Sequence, residues 1–137
     1  SQAERSALRD AVIFVGTQSP DRTRLHLRAA DAFALYSKYE GLPHVVLEAM
    51  AAGTPVVVSD AGGNLEVVEH ERTGLIAPLA DEPALAHGMV RLLTERAFAA
   101  DLTARATQSL ERFSWERLVD DTEAALVESL SDTRHSL

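Results

Sequence analysis

One uninterrupted stretch, Ser37-Lys38-Tyr39-Glu40-Gly41-Leu42-Pro43-His44-Val45-Val46-Leu47-Glu48-Ala49-Met50-Ala51-Ala52-Gly53-Thr54-Pro55-Val56-Val57-Val58, sets the topology of this chain. It passes from an acidic loop through an apolar helix into a β-branched strand with no linker between them. Pro43 suits a first helical position, where its missing N–H would be unpaired anyway, so the helix is expected to begin near Leu42 or Pro43 and stop at Gly53. Glu40 then falls on the loop before the helix and Glu48 one to two turns inside it. Free N–H groups at such a helix start attract phosphates and polarised hydroxyls, and Gly41 lets backbone approach a ligand there. A glutamate on either side suits a ligand that carries both phosphate and hydroxyls. Acidic residues near a helix start also serve the helix dipole alone, so the spacing by itself leaves both readings open.

The remaining pattern places this stretch in a layered fold. Ser1 and Glu4 fit a capping box at the head of a helix ending near Asp10, and residues 12–15 (Val-Ile-Phe-Val) read as a buried strand. A turn-rich loop follows at 16–21, then a helix over 23–30 and a short strand over 32–36. After the 56–58 strand, loop 59–63 carries Gly62 and Gly63 and opens onto a short helix near 65–69, and 75–77 form a last strand. Strands separated by helices predict an α/β fold, a Rossmann-like parallel sheet covered on both faces. Beyond Pro78 the pattern is helical only. Leu85, Met89, Leu92 and Leu93 form one apolar stripe, and Phe98, Leu102, Ala106 and Leu110 a second. A third helix is expected from Ser114, with Trp115, Leu118, Val119, Thr122 and Leu126 on one side. Residues 1–130 are expected to form one unit and 131–137 a polar tail.

Charge and composition narrow the partners. Thirteen basic against 21 acidic residues give a net charge of −8, which repels phosphate backbones and argues against nucleic acid. Any bound phosphate must be held by local geometry. No long uninterrupted apolar run suggests membrane contact, and the absence of cysteine excludes disulfides and thiolate metal sites. No Asp-x-Asp pair or histidine cluster suggests a metal. His26, His70, His87 and His135 show no ligand spacing and read as ordinary surface residues.

The string Ser-x-Tyr-Glu-Gly-x-Pro-x-Val-Val-x-Glu-Ala-Met-Ala-x-Gly-x-Pro-Val-Val closely resembles the Glu-x7-Glu signature of family 4 glycosyltransferases, retaining enzymes of the GT-B fold. The resemblance continues in order through Val12 to Gly16, Ala30 to Phe33, Ser59 to Gly63, Glu66 to Val68, Thr73 to Ile76 and Phe113 to Glu116. It implies a nucleotide-sugar donor in the cleft at the carboxyl ends of the strands, no cofactor or metal, and a cytoplasmic setting. By matching position, Glu48 would accept hydrogen bonds from the two ribose hydroxyls. Glu40 would be the catalytic residue facing the donor sugar near its anomeric carbon. Gly41, Leu42, Pro43 and His44 would present the helix start to the sugar and distal phosphate. His44 stands where many relatives have a small or amide residue. Gly62 and Gly63 could cradle a phosphate, though a tight strand-to-helix turn needs glycine too, and Thr17 and Gln18 would lie near the base.

Relatives also carry upstream a Gly-rich strand, a basic pair that neutralises the pyrophosphate, and a complete N-terminal acceptor domain. None of these is in the sequence. The resemblance therefore implies the greater part of a donor-binding C-terminal domain, inactive by itself. Two other readings stay open: a non-catalytic nucleotide-sugar-binding or interaction module, and a nucleotide-sugar epimerase on the same fold. A hydrolase is a poor rival, because its two carboxylates would flank a bond from opposing walls rather than share one helix start.

Overall fold

The computed structural model describes residues 2–113. Helices α1 (Gln2–Ala11) and α2 (Pro20–Ala29) precede strand β1 (Phe33–Leu35), which is followed by α3 (His44–Ala51), β2 (Val56–Ser59), α4 (Asn64–Val67) and β3 (Leu75–Ala77). Helices α5 (Glu82–Thr94) and α6 (Arg96–Ser109) and a 3-10 turn (Leu110–Phe113) complete the described part. The helix expected from Ser114 and the tail 131–137 lie outside the described residues.

The three strands form one parallel sheet in the order β1-β2-β3. Phe33, Ala34 and Leu35 pair with Val56, Val57 and Val58, and Val57, Val58 and Ser59 pair with Leu75, Ile76 and Ala77. The period of two sorts the side chains onto two faces. Val56 and Val58 join Leu27, Val46, Leu47, Ala49, Met50, Val67, Val68 and Ala106 in one core. Val57 joins Leu75, Ala77, Leu92, Ala99 and Leu102 in the other. A strand buried on both faces reads as a continuous apolar run, which is why three valines in a row mark the centre of the sheet. Each fully buried valine contributes on the order of 1.5 to 3 kcal/mol.

The stripe on α6 holds: Leu102 and Ala106 are buried, Phe98 and Leu110 partly so. The stripe on α5 holds in part: Leu85 packs half-buried against the core beside Leu92, and Met89 and Leu93 do not. Gly88 and Leu92 are buried, while Met89 and Leu93 are 38% and 43% exposed. A Cβ at Gly88 would lie 3.2 Å from Val57 Cγ2, so α5 approaches the sheet closely at this glycine, while Met89 and Leu93 turn outward.

The strand expected at 12–15 does not form. Those residues adopt irregular backbone with Ile13 and Phe14 82% and 94% exposed. A short apolar segment becomes a strand only when another strand supplies its hydrogen bonds, and none among the described residues lies beside it. The double substitution Ile13→Ser with Phe14→Ser is accordingly expected to change unfolding free energy by less than about 0.5 kcal/mol, the surface range. Urea unfolding of this chain checks it, and a loss of several kcal/mol would restore the buried strand. Among the described residues no helix is long and apolar enough to cross a membrane.

Candidate functional site

Parallel strands all end at one edge of a sheet, and the loops leaving that edge surround the place where open α/β folds take ligands. Tyr36, just past β1, ties the first of these loops to the third. Its hydroxyl donates to Pro78 O (2.7 Å) and accepts from the Asp81 N–H (3.1 Å). Asp60, just past β2, accepts from the Leu79 N–H (2.9 Å).

A buried polar chain joins the first loop to the second. Ser59 is fully buried at the end of β2, and its Oγ donates to Ser37 O (2.7 Å) and accepts from the Ser37 N–H (3.1 Å). Asn64, also fully buried, donates from Nδ2 to Ser59 O (3.1 Å) and Ser59 Oγ (3.2 Å). The Ser37 hydroxyl then donates to Glu40 Oε1 (2.7 Å). Sequence reasoning gave Ser59 and Asn64 no role and took Ser37 only as part of the string. The available signal was a serine where the valine run should continue and an asparagine directly after two glycines.

The glycines of the second loop touch the first loop directly. The Gly63 N–H donates to Glu40 O (3.0 Å). A Cβ at Gly62 would lie 2.6 Å from Glu40 O, and one at Gly63 only 1.6 Å from Gly41 O. Backbone packs on backbone here, so glycine is required for the close approach of the two loops. Gly41 differs: a Cβ there would meet nothing within 4 Å, and no positive φ calls for glycine.

The helix starts one or two residues later than the expected Leu42 or Pro43. Pro43 is the N-cap with ψ 84°, outside the helical range, and α3 begins at His44. The His44 N–H turns back to Leu42 O (3.0 Å), while Pro43 O accepts from Val46 and Leu47 N–H (3.0 and 3.2 Å). Leu42 packs against the core and Pro43 is buried, so their side chains anchor the loop from within. The His44 side chain is exposed. No side chain caps α3.

Glu48 is half-buried one turn into α3, and its carboxylate makes no hydrogen bond among the described residues. It lines a cavity of about 310 Å³ with Arg24, Arg28, Ala51 and Ala52. Glu40 is not part of that lining. A carboxylate with both oxygens open can accept from two hydroxyls at once, whereas Glu40 has one oxygen already engaged. Thr17 is exposed, and the Gln18 side chain donates to Val15 O within its own loop (2.5 Å). Neither hydrogen-bonds to loops 37–43 or 59–63 among the described residues.

Perturbed ionisation marks the opposite edge. The Glu71 carboxyl, in the turn that leads into β3, is held below its usual range by the hydrogen bond and charge of Arg91. His70, read from sequence as an ordinary surface residue, has a structural part there: its Nδ1 accepts from the Ile76 N–H (2.9 Å). Arg91 also bonds Glu95 and lies 3.8 Å over the Phe98 ring, so this cluster clamps α5 and α6 to the turn before β3.

Comparison with known proteins agrees with this architecture. The model of the family "Glycosyl transferases group 1" matches residues 1–109. The D-inositol 3-phosphate glycosyltransferase of Rhodococcus erythropolis is 36% identical over 109 residues, 80% of this chain and 25% of the relative. Sucrose-phosphate synthase from Thermosynechococcus elongatus superposes with a TM-score of 0.82 at 31% identity, over 96% of this chain and 33% of that one. HepE of Anabaena, solved in complex with UDP-glucose, gives 0.78 at 28% identity over 96% of this chain and 35% of its own. The chain thus spans about a third or less of the length of the curated relatives it matches. With the family model covering most of its length and these structures superposing on nearly all of it, the chain belongs to the group 1 glycosyl transferases.

Proposed function

We propose that this chain is the donor-binding part of a retaining, family 4 glycosyltransferase. It would move a hexose-type sugar from a nucleoside diphosphate to an acceptor held by another part of the polypeptide. The observation that carries the reading is the disposition of the two glutamates around the start of α3. Glu48 presents an open, half-buried carboxylate, the requirement for gripping a pair of ribose hydroxyls. Glu40 lies on the preceding loop with one carboxylate oxygen held by Ser37, the requirement for a group kept in fixed register with a sugar. The UDP-glucose bound to HepE supports a nucleotide sugar as the ligand class.

In this reading Gly41 and the start of α3 face the donor's sugar and distal phosphate. The diphosphate departs from the same face on which the acceptor attacks, through an oxocarbenium-like state. Preorganised dipoles stabilise the departing charge, commonly the largest electrostatic contribution in such sites. The nucleotide sugar is a substrate, and the reading calls for no cofactor. Thr17 and Gln18 are assigned to the neighbourhood of the base.

Thermal denaturation of the intact polypeptide with UDP, GDP or ADP and their sugars tests the assignment. One nucleoside diphosphate, supplied at a hundred times its Kd, should add about 2.7 kcal/mol of stability. If no nucleoside diphosphate or nucleotide sugar raises the midpoint, the donor-binding reading fails.

A further inference from the structure

We propose that Ser37 is a positioning residue for the transfer reaction and that Ser59 and Asn64 exist to hold it. This rests on the assignment of Glu40 to the donor sugar. A glutamate on a loop has three side-chain torsions to fix, and Glu40 is tied at two points. Its carbonyl accepts from the Gly63 N–H (3.0 Å), which sets the backbone, and its Oε1 accepts from the Ser37 hydroxyl (2.7 Å), which sets the carboxylate.

Ser37 can do this only if it is itself immobile. Both of its backbone polar groups are bonded to one atom, Ser59 Oγ, which donates to Ser37 O and accepts from the Ser37 N–H. Ser59 is the last residue of the central strand and fully buried, so the bracket is fixed to the strand that is paired on both sides. Asn64 closes the chain from the other side by donating from Nδ2 to both Ser59 O and Ser59 Oγ.

The cost of that arrangement points to its purpose. Asn64 Oδ1 is buried with no hydrogen-bond partner among the described residues. An unpaired buried acceptor is unfavourable, and an apolar residue at this place would avoid it. The Nδ2 group is what the fold obtains in exchange, and its partners among the described residues are the two oxygens of Ser59. The relay runs Asn64 to Ser59 to Ser37 to Glu40, from the buried start of α4 to a carboxylate on the loop that enters α3. Every link is between 2.7 and 3.2 Å.

The test uses the intact transferase with its nucleotide-sugar donor, comparing Ser37→Ala, Ser37→Thr and Glu40→Gln. Misplacing a reacting group by an ångström costs up to about a hundredfold, so Ser37→Ala should lower kcat by roughly ten- to a hundredfold. Donor KM and nucleoside diphosphate affinity should stay within about twofold, because neither depends on where the Glu40 carboxylate points. Ser37→Thr keeps the hydroxyl and should recover most of the lost kcat. The inference is overturned if Ser37→Ala turns over like the unsubstituted enzyme, if it loses nucleoside diphosphate affinity in proportion to kcat, or if threonine is no better than alanine. Unchanged turnover in Glu40→Gln would instead remove the assignment of Glu40 on which the inference stands, and that outcome is read independently of Ser37.

Discussion

Gly63→Ala is expected to destabilise the fold by about 3 kcal/mol or more, whereas Gly41→Ala, two loops' width away in sequence and in contact with it in space, should change stability by less than about 0.5 kcal/mol. The contrast comes from what each added methyl meets. At Gly63 it would be placed 1.6 Å from Gly41 O, less than half a van der Waals separation, and the obstructing atoms are backbone. Relief requires the two loops to part, which breaks the bond from the Gly63 N–H to Glu40 O and moves Glu40 with it. At Gly41 the methyl enters open space. If that space receives the donor, Gly41→Ala should weaken nucleotide-sugar binding about tenfold or more while leaving the unfolding midpoint where it was. Urea unfolding and donor titration of both variants measure the two effects. Equal stability losses would mean that the loop contact is not structural, and a Gly41→Ala variant that binds donor normally would mean that the ligand does not approach there.

The sequence made the sheet legible and left its interfaces dark. Val56, Val57 and Val58 announce a central strand because both of their faces are buried, and the β3 bounds 75–77 follow from the same logic. Helix α6 was readable because Phe98, Leu102, Ala106 and Leu110 recur at helical spacing and all turn at least partly inward. Helix α5 was readable only in part: Leu85 and Leu92 face the core as expected, but its close approach to the sheet is at Gly88, and a search for large side chains passes over it. Residues 12–15 have strand composition, but strand formation depends on a neighbour that composition does not encode.

At the candidate site the same division holds. The Glu-x7-Glu spacing and the helix start were visible as a string. The reason for two consecutive glycines was not, because it lies in the approach of a loop some twenty residues earlier. Single serines and asparagines are common in loops for local reasons, so the serine that ends the valine run and the asparagine after two glycines gain meaning only with burial, which shows that their partners are each other and Ser37.

Glu40 and Glu48 should separate cleanly when each is changed to glutamine in the intact enzyme. If Glu48 grips the ribose, it holds the donor before and during transfer alike. Its loss then removes uniform binding, raising donor KM and weakening the free nucleoside diphosphate with little change in kcat. Hydrogen bonds to a charged acceptor contribute about 1.5 to 3 kcal/mol, so the expected weakening is roughly ten- to a hundredfold. The half-buried carboxylate makes no other hydrogen bond among the described residues, so this loss reports ligand contact rather than a damaged fold. Glu40 makes the opposite demand. Facing the reacting sugar, it matters most when charge develops at the anomeric carbon, and Glu40→Gln should lower kcat by about a hundredfold. Affinity for the nucleoside diphosphate should barely move, because that ligand has no sugar for Glu40 to touch. Glutamine also keeps an oxygen able to accept from Ser37, so the loop should hold its shape and the loss should reflect charge. Calorimetric titration of both variants with the nucleoside diphosphate decides the matter: equal losses, or a greater loss for Glu40→Gln, would reverse the two assignments.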